Sequence, residues 1–233
     1  MNVIITGGTK GIGRAIAATF ADAGFNVAIC ARTKDDLEAM RMLFLKIFPK
    51  IEILTMAVDM SVKNEVLAFA KYVSTKWKKV DVLINNAGIF IPGEIHKEGE
   101  GVLEKMIQTN LYSAYYLTRA ILPLMLPNRK GHIFNMSSVA GIAAYPNGGS
   151  YSISKFALLG FSKVLREEMK DKGIKVTTLI PGATWSNSWA GVDLPESRLM
   201  QADDIAKTVF AAYNLGGSAV VEEIIIRPQL GDL

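Results

Sequence analysis

Short runs of aliphatic and β-branched residues alternate along the chain with longer amphipathic segments, and this alternation restricts the possible fold more than any other feature. The runs predict strands over Val3–Thr6, Asn26–Ala31, Ile51–Val58, Val80–Ile84, His132–Met136, Ile174–Ile180 and Ala219–Ile226. The segments between them predict helices over Gly11–Ala23, Thr33–Phe48, Ser61–Trp77, Gly99–Leu126, Ser150–Lys172 and Ala202–Leu215. Pro123 is expected to kink or end the fourth of these helices. Because strands that alternate with crossover helices form a mostly parallel sheet covered on both faces, residues 1–233 are expected to form one doubly wound α/β domain.

Composition and charge exclude several classes of protein. Half of the 233 residues are hydrophobic, which excludes a mainly disordered chain. The net charge of +4 comes from basic residues scattered among acids, so nucleic acid is not an expected partner. The chain enters a strand pattern at Val3 and has no apolar run of bilayer length, so we expect a cytoplasmic protein with no signal peptide and no membrane partner. No group of His, Cys and acidic residues has metal-ligand spacing, and no bound metal is expected.

A glycine-rich turn, Thr6–Gly13, lies between the first predicted strand and the first predicted helix. Glycines in this position let the backbone approach a pyrophosphate, which the amides at the helix N-terminus can then hold. Their spacing differs from the usual dinucleotide fingerprint, but the turn lacks the Gly-Lys-Ser/Thr of a nucleoside-triphosphate loop. The turn therefore predicts a dinucleotide site.

The end of the second strand predicts which dinucleotide binds. Ala31 stands where an NAD site expects an acid for the ribose 2′-hydroxyl, and Arg32 follows it. A guanidinium suits a 2′-phosphate, and Lys10 in the turn adds a second positive charge, so the sequence predicts NADP rather than NAD. Asp35 and Asp36 fall in the first turn of the next helix, where acids complement the helix dipole, and we interpret them as structural.

Tyr151 and Lys155 stand four residues apart at the start of a predicted helix, so their side chains emerge on one face. An ammonium beside a phenol is expected to lower the phenol pKa from about 10, and a tyrosine tuned in this way can act as a general acid and base. This spacing alone is more typical of an amphipathic helix edge. Its weight depends on the other motifs.

In combination, these motifs resemble those of the short-chain dehydrogenase/reductase family in its compact form, along nearly the whole chain. The matching positions are Thr6–Gly13, Asp59, Asn85-Asn86-Ala87-Gly88, Asn110, Ser138, Tyr151 with Lys155, and Pro181-Gly182. The resemblance implies a Rossmann-type fold with a seven-stranded parallel sheet, NADP(H) as the cofactor, and hydride transfer between NADP(H) and a ketone or aldehyde–alcohol pair.

The resemblance also implies a catalytic role for four residues. Tyr151 would donate a proton to the substrate oxygen and accept it in the reverse direction, while Lys155 would support the phenolate and bond the nicotinamide ribose. Ser138, thirteen residues before the tyrosine, would hold the same oxygen as it gains negative charge. Asn110 would link to Lys155 through water and relay protons. From the residues alone, Asn110 is an indifferent polar position in a helix.

The cofactor contacts implied by the resemblance are spread over six segments. They are Gly7, Thr9, Lys10, Gly11, Ile12, Gly13, Arg32, Asp59, Asn85, Ala87, Gly88, Tyr151, Lys155, Pro181, Gly182, Thr184 and Ser186. Asn86 is expected to brace strands instead. Asp59 has two equally weighted interpretations, an adenine contact or a helix cap before Ser61. Thr184 stands where the family usually has a branched apolar residue, while Ser186 keeps the hydroxyl expected two positions later.

The region 185–200 is expected to be a substrate lid, in which Trp185, Trp189, Leu194 and Met200 either line an apolar pocket or pack the lid itself. The last strand lacks the glycine pair that the family often uses for tetramer contacts. The two long helices ending at Leu126 and Lys172 remain as a two-fold face, so a homodimer or homotetramer is expected.

Several functions stay open on the sequence. The leading one is an oxidoreductase acting on a small carbonyl or alcohol, and a 3-oxoacyl thioester reductase is a narrower form of it. A dinucleotide-binding regulatory protein without turnover and an isomerase or dehydratase using the same cleft are the alternatives. The complete set of four catalytic positions argues against the regulatory protein.

Overall fold

A parallel sheet of seven strands forms the centre of the molecule in the computed structural model, which describes residues 1–185 and 195–232. The strands are β1 (Asn2–Thr6), β2 (Asn26–Ala31), β3 (Ile53–Ala57), β4 (Val82–Asn85), β5 (Gly131–Met136), β6 (Ile174–Pro181) and β7 (Glu223–Ile226). Their order is β3-β2-β1-β4-β5-β6-β7, and all neighbouring pairs are parallel. The expected doubly wound, seven-stranded sheet is confirmed.

Helices cover both faces of this sheet. They are α1 (Gly11–Asp22), α2 (Lys34–Ile47), α3 (Lys63–Lys76), α4 (Val102–Ile107), α5 (Ser113–Met125), α6 (Gly149–Met169) and α7 (Ala202–Tyr213). Side chains alternate along β1, so Val3 and Ile5 pack with α1, α2 and α7 while Ile4 packs with α3, α5 and α6. Because the chain leaves β1 toward β2 and returns at β4, a crevice forms at the carboxyl ends of β1 and β4, where open α/β sheets bind ligands.

The helix predicted over Gly99–Leu126 differs in detail. It consists of α4, a π-helical turn over Gln108–Tyr112, and α5. Pro123 lies inside α5, which continues for two residues and then tightens into a 3₁₀ turn over Leu126–Asn128. In this position the proline removes a hydrogen bond only in the last turn of the helix, so the helix ends just beyond it.

The last strand is shorter than the predicted Ala219–Ile226. Its ladder with β6 begins at Glu223, opposite Thr178. The preceding backbone is used differently: the amide of Ala219 donates to Gly216, and the carbonyl of Val221 accepts from a threonine hydroxyl of β6. Residues 219–222 are therefore not part of the strand: Ala219 closes a turn with Gly216, and Val221 is anchored to β6.

The chain on either side of residues 186–194 is tied together. Thr184 and Met200 form an isolated parallel bridge. The amide of Trp185 donates to the carbonyl oxygen of Met200 at 2.8 Å, and the amide of Met200 donates to that of Ala183 at 3.1 Å. Met200 is also buried in the core beside α7, so this residue packs the fold and does not line the pocket described below.

Candidate active site

The glycine-rich turn packs tightly against the start of α1. Gly7 has a φ of +66°, which favours glycine. A Cβ on Gly13 would lie 2.3 Å from the carbonyl oxygen of Gly7, so only glycine lets α1 begin this close to the turn. Lys10 precedes α1 and makes no side-chain cap hydrogen bond, so it does not cover the helix's first amides. Amides in that position commonly hold phosphate oxygens.

Two side chains fix this turn to the end of β4. The hydroxyl of Thr6 accepts hydrogen bonds from the amides of Asn86 at 3.0 Å and Ala87 at 2.9 Å. In return, Nδ2 of Asn86 donates to the carbonyl oxygens of Thr6 at 2.9 Å and Gly7 at 3.2 Å. Asn86 therefore braces the two strand ends, as its position in the sequence predicts.

The predicted 2′-phosphate residues lie beside β2, with one addition that the sequence did not reveal. Arg32 is exposed directly after β2. Asp35 and Asp36 lie in the first turn of α2, as expected. However, Asp36 also forms an ion pair with Lys10, whose Nζ lies 2.7 Å from Oδ2 of Asp36. The hydrogen bond within this ion pair is the main reason that the pKa of Asp36 is lowered. Lys10 is thus held toward α2 by an acid.

Asp59 closes a turn with Ser61 ahead of α3 and does not cap the helix, because α3 begins at Lys63 and its N-cap residue is Val62. Its Oδ1 accepts hydrogen bonds from the amide of Ser61 at 2.9 Å and from the Ser61 hydroxyl at 2.7 Å. These bonds, followed by the charges of Arg32 and Lys105, hold the pKa of Asp59 below its usual range. The adenine contact stays a prediction, since a carboxylate held in this turn is compatible with it.

Ser138, Tyr151 and Lys155 meet at the carboxyl ends of β5 and β6. Ser138 follows β5 by two residues, and the other two lie in the first two turns of α6. The Ser138 hydroxyl accepts from the amide of Ala140 at 3.2 Å and lies close enough to the Tyr151 phenol to affect its pKa. Nζ of Lys155 lies 5.6 Å from the centroid of the Tyr151 ring and donates to the carbonyl oxygen of Met136 at 2.8 Å. The structure therefore brings the three predicted residues together.

The pKa of the Tyr151 phenol is raised, not lowered. Burial raises it to about 12, the Ser138 hydrogen bond offsets part of this rise, and Tyr145 adds to it. Burial also lowers the pKa of Lys155 to about 8. The expectation that the lysine depresses the phenol pKa is thus wrong for this arrangement. The ammonium bonds a backbone carbonyl, and burial penalises the charged form of both groups.

Asn110 lies behind this group, in the π-helical turn. Its Oδ1 accepts from the amide of Ile89 at 2.8 Å, and its Nδ2 donates to the Ile89 carbonyl at 3.0 Å and to the Ser154 hydroxyl at 2.9 Å. It approaches Lys155 across Gly88, where a Cβ would lie 3.2 Å from Oδ1 of Asn110 and 3.4 Å from Nζ of Lys155. Turns of π-helix are frequent at functional sites because they displace side chains from the regular helical position.

A pocket of about 550 Å³ opens beside Tyr151. The predicted site residues that line it are Ile12, Gly88, Ser138, Tyr151, Lys155, Pro181, Gly182 and Thr184. Sequence reasoning missed Phe90 and Tyr145, and it missed Arg227 and Asp232 near the C-terminus. The ring of Phe90 meets that of Tyr151 edge to face at 4.8 Å, and Nη1 of Arg227 lies 2.6 Å from Oδ2 of Asp232. The only available signal was that Phe90 follows a strand-end motif.

The other predicted residues fall into three groups. Gly7, Thr9, Lys10, Gly11, Gly13, Arg32, Asp59 and Ala87 follow the carboxyl ends of β1 to β4 and are not among the residues that line the pocket. Asn85 is buried, and its Nδ2 donates to Thr118 at 3.0 Å and Asn135 at 2.8 Å, so its side chain braces β4 against β5 and α5 and does not line the pocket. Ser186, Trp189 and Leu194 lie outside the described residues.

Within residues 1–185 and 195–232, no group of three or more His, Cys, Asp or Glu side chains is arranged to hold a metal ion. No described helix combines the length and apolar character needed to cross a membrane.

The strand order, the glycine-rich turn and the pocket at the carboxyl edge define a Rossmann-type protein. The family model described as short chain dehydrogenase matches residues 1–195. The chain belongs to the short-chain dehydrogenase/reductase family of oxidoreductases. Among curated relatives, the sepiapterin reductase of Chlorobaculum tepidum is 32% identical over 99% of this chain and 97% of its own length.

Solved structures agree with this assignment. An alcohol dehydrogenase from the archaeon Thermococcus sibiricus, complexed with 5-hydroxy-NADP, superimposes with a TM-score of 0.90 at 27% identity, covering 98% of this chain and 96% of that one. A metagenomic short-chain oxidoreductase in complex with NADP gives a TM-score of 0.85 at 30% identity, covering 98% and 97% of the two chains.

Proposed function

We propose that this protein is an NADP(H)-dependent oxidoreductase that interconverts a ketone or aldehyde with an alcohol, using Tyr151 as general acid and base. The observation that carries the proposal is the group formed by Ser138, Tyr151 and Lys155 at one wall of the pocket, with Asn110 behind it. A hydroxyl, a phenol and an ammonium in one cleft are the donors that a carbonyl oxygen requires as it becomes an alkoxide.

The residues present fit the cofactor. Gly7 and Gly13 leave space for close approach at the N-terminus of α1, and Lys10 does not cap its first amides. Arg32 is exposed where a 2′-phosphate would lie, and the solved relatives that hold NADP or its 5-hydroxy analogue align along nearly the whole chain. When bound, NADPH supplies a hydride to the carbonyl carbon.

The chain's own residues handle the proton. Tyr151 is protonated at neutral pH, because its pKa is raised to about 12, and it is therefore ready to donate to the substrate oxygen. Ser138 lies beside the phenol and would hold the same oxygen. Lys155, whose pKa is lowered to about 8, is the group that can return a proton to the phenolate left behind, and Asn110 positions the backbone of Ile89 at the edge of the same cleft.

Removing the phenol hydroxyl of Tyr151 tests its role as general acid. Tyr151→Phe should lower the rate of carbonyl reduction by about 10²–10⁴-fold, the usual contribution of a general acid, while NADPH binding stays nearly unchanged. The measurement is NADPH consumption in the presence of a carbonyl substrate, alongside a fluorescence titration of NADPH. Tyr72→Phe, on α3, is the control and should keep full activity. Reduction by Tyr151→Phe at the wild-type rate would refute the mechanism.

A second substitution tests the choice of cofactor. Arg32→Asp should move the preference from NADP toward NAD, because a carboxylate repels a 2′-phosphate and accepts a bond from a 2′-hydroxyl. Arg41→Asp, on α2, is the control for a change of charge. An unchanged ratio of kcat/KM for NADPH and NADH in Arg32→Asp would remove the basis for this assignment.

Identifying the substrate requires activity measurements with a panel of candidate compounds. Aliphatic ketones, a 3-oxoacyl thioester and a small hydroxy acid cover the classes left open, and sepiapterin belongs in it because the relative named for it aligns end to end. The rings of Phe90 and Tyr145 favour substrates with a flat or apolar portion. Tight NADPH binding without oxidation by any carbonyl would instead favour a regulatory protein.

A further inference from the structure

A second cavity lies at the amino ends of the strands, whereas the candidate active site lies at their carboxyl ends. Its volume is about 810 Å³, and it is lined by the first residues of β5 and β6 and by the segment after α7. The active-site pocket, by contrast, lies where the same two strands end. The two cavities are therefore separated by the length of the strands, and the proposed reaction makes no use of the second one.

The side chains around this cavity are mainly cationic. Arg129, Lys130, Arg166, Lys170 and Lys175 all line it, whereas Asp81 is the acid among the lining residues. That carboxylate is already engaged. Its Oδ1 lies 2.6 Å from Nζ of Lys79, and its Oδ2 accepts from the amide of Asn2 at 2.8 Å.

Three of the cations have no carboxylate partner among the described residues. Arg166 and Lys170 are paired with Glu222 and Glu167, but Arg129 donates only to a backbone carbonyl, that of Asp171, at 2.7 Å. Lys175 likewise donates to the backbone carbonyls of Leu215 at 3.0 Å and Gly216 at 2.7 Å. Lys130 is in no ion pair within the described ranges. Most N–H groups of these three side chains are therefore free to bind an anion.

The positive charges also act on one another. The pKa of Lys175 is lowered, first by burial and then by the charge of Lys130. His132, in the cavity wall, adds no charge, because burial and the nearby Lys175 lower its pKa to about 3. The Thr177 hydroxyl gives its proton to Val221, so it accepts one from Nε2 of His132, which fixes the neutral tautomer. Nothing in the described wall compensates the three lysine and arginine charges.

The backbone holds Arg129 in place at some cost. Its φ is +46°, in the left-handed region that side-chain-bearing residues rarely adopt. Gly173, which packs against Arg129, must be glycine because a Cβ there would lie 2.0 Å from the carbonyl oxygen of Arg129. The backbone that carries the guanidinium is therefore strained and closely packed.

We propose that this second cavity, formed around Arg129, Lys130 and Lys175, is a binding site for a small polyanion carrying two or more phosphate or carboxylate groups. Guanidinium and ammonium groups recognise both kinds of oxyanion. The cavity volume is in the range of small-molecule sites, and its concave shape suits a small ligand better than a nucleic acid strand. The inference does not depend on the reaction proposed for the other edge of the sheet.

The experiment titrates the full-length protein with inorganic pyrophosphate, and separately with citrate, by isothermal calorimetry at constant ionic strength. Saturating NADP is present throughout, so that the phosphate turn at α1 cannot supply the binding site. One saturable site per chain is expected with at least one probe. The double variant Lys130→Gln, Lys175→Gln should weaken binding at least tenfold. The matched control is Lys46→Gln, Lys71→Gln, on α2 and α3.

A third variant separates loss of charge from loss of folding. Arg129→Gly removes the guanidinium and relaxes the left-handed backbone, so it should melt at or above the wild-type temperature and still bind the probe more weakly. The absence of saturable binding by either probe would overturn the proposal. Equal weakening in the double variant and its control would do so too, as would wild-type affinity in Arg129→Gly.

Discussion

The order in which Tyr151 and Lys155 lose their protons determines the pH at which the pair supports carbonyl reduction or alcohol oxidation. With pKa values of about 12 and about 8, the first proton to leave the pair comes from the lysine. Reduction needs the fully protonated pair, which is lost as pH rises through about 8. Oxidation needs the pair with one proton fewer, whichever group carries the remaining proton, and this form is gained over the same interval.

We therefore expect the rates of carbonyl reduction and alcohol oxidation to change with pH in opposite directions, with a shared midpoint near 8. The measurement is kcat/KM for both directions between pH 6 and about 10, since this parameter reports the free enzyme. Profiles that rise or fall together would show that the pair does not carry the proton.

Glu98 accepts hydrogen bonds at the start of α6, the helix that carries Tyr151. One of its carboxylate oxygens accepts from the amide of Ser150 at 2.9 Å and the other bonds the Ser150 hydroxyl, so it caps α6 next to Tyr151. Removing a cap costs about 1–2 kcal/mol, which in a chain of this size lowers the melting temperature by about 2–8 °C. Glu98→Ala should show this loss, and kcat should fall more than KM for NADPH rises.

Glu94→Ala is the matched control for Glu98. Glu94 lies on the same segment, but its carboxylate pairs with exposed Lys97 and His96 and makes no contact with α6. It should therefore leave both the melting temperature and kcat unchanged. A fall in both proteins alike would mean that the segment, and not the cap, is responsible.

At the scale of elements, the packing of α1 on the turn gives a test of the phosphate site. Gly13→Ala places a methyl group 2.3 Å from the Gly7 carbonyl and 2.5 Å from Nδ2 of Asn86, so the turn must shift. Overpacking of this kind costs about 1–3 kcal/mol. We expect a lower melting temperature and weaker NADPH binding by fluorescence titration. Gly99→Ala, which meets nothing within 4 Å, should leave both unchanged.

The sequence was sufficient to predict the elements but not their electrostatic surroundings. Strand ends of a parallel sheet meet at one edge, which is consistent with the grouping of Ser138, Tyr151 and Lys155 that the family resemblance implied. Their pKa values depend on burial and, for Tyr151, on the electrostatic effect of Tyr145 from another segment, and no local pattern encodes that. The Lys10–Asp36 pair was missed for the same reason, since it joins two elements separated by β2.

The π-helical turn at Asn110 could not be predicted from the sequence for a different reason. The pattern of apolar residues over Gly99–Leu126 is helical throughout, and one wider turn hardly changes it. That turn nevertheless sets which way Asn110 points. Likewise, Arg227 and Asp232 reach the pocket only through the path of the chain after β7, which carries no periodic signal.

At the scale of the whole molecule, one surface is more apolar than a monomer requires. Tyr112, Tyr115, Ile153, Phe156 and Val164, on the π-helical turn, α5 and α6, are each 39–59% exposed. The members on α6 recur at spacings of three and eight, which places them on one stripe of the helix. A stripe of this kind on two adjacent helices favours a two-fold dimer.

Val164→Glu should convert such a dimer to a monomer, because it places a charge in a desolvated contact. The measurement is the mass in solution by sedimentation equilibrium. Met42→Glu is the control, since Met42 on α2 has the same exposure, 59%, and lies on another surface. A wild-type chain that sediments as a monomer, or a Val164→Glu protein that stays dimeric, would contradict this interface.

The bridge between Thr184 and Met200 has a consequence for how such a molecule diversifies. Because Thr184 and Met200 are joined by this bridge, a change in the number of residues between them alters the closure entropy of the chain only slowly. Doubling the length of the segment between them would cost only about 0.6 kcal/mol. We predict that this segment governs substrate range, as its place in the sequence indicates, so exchanging it at the bridge should change the substrate range while the proton-transfer residues and the phosphate turn stay as they are.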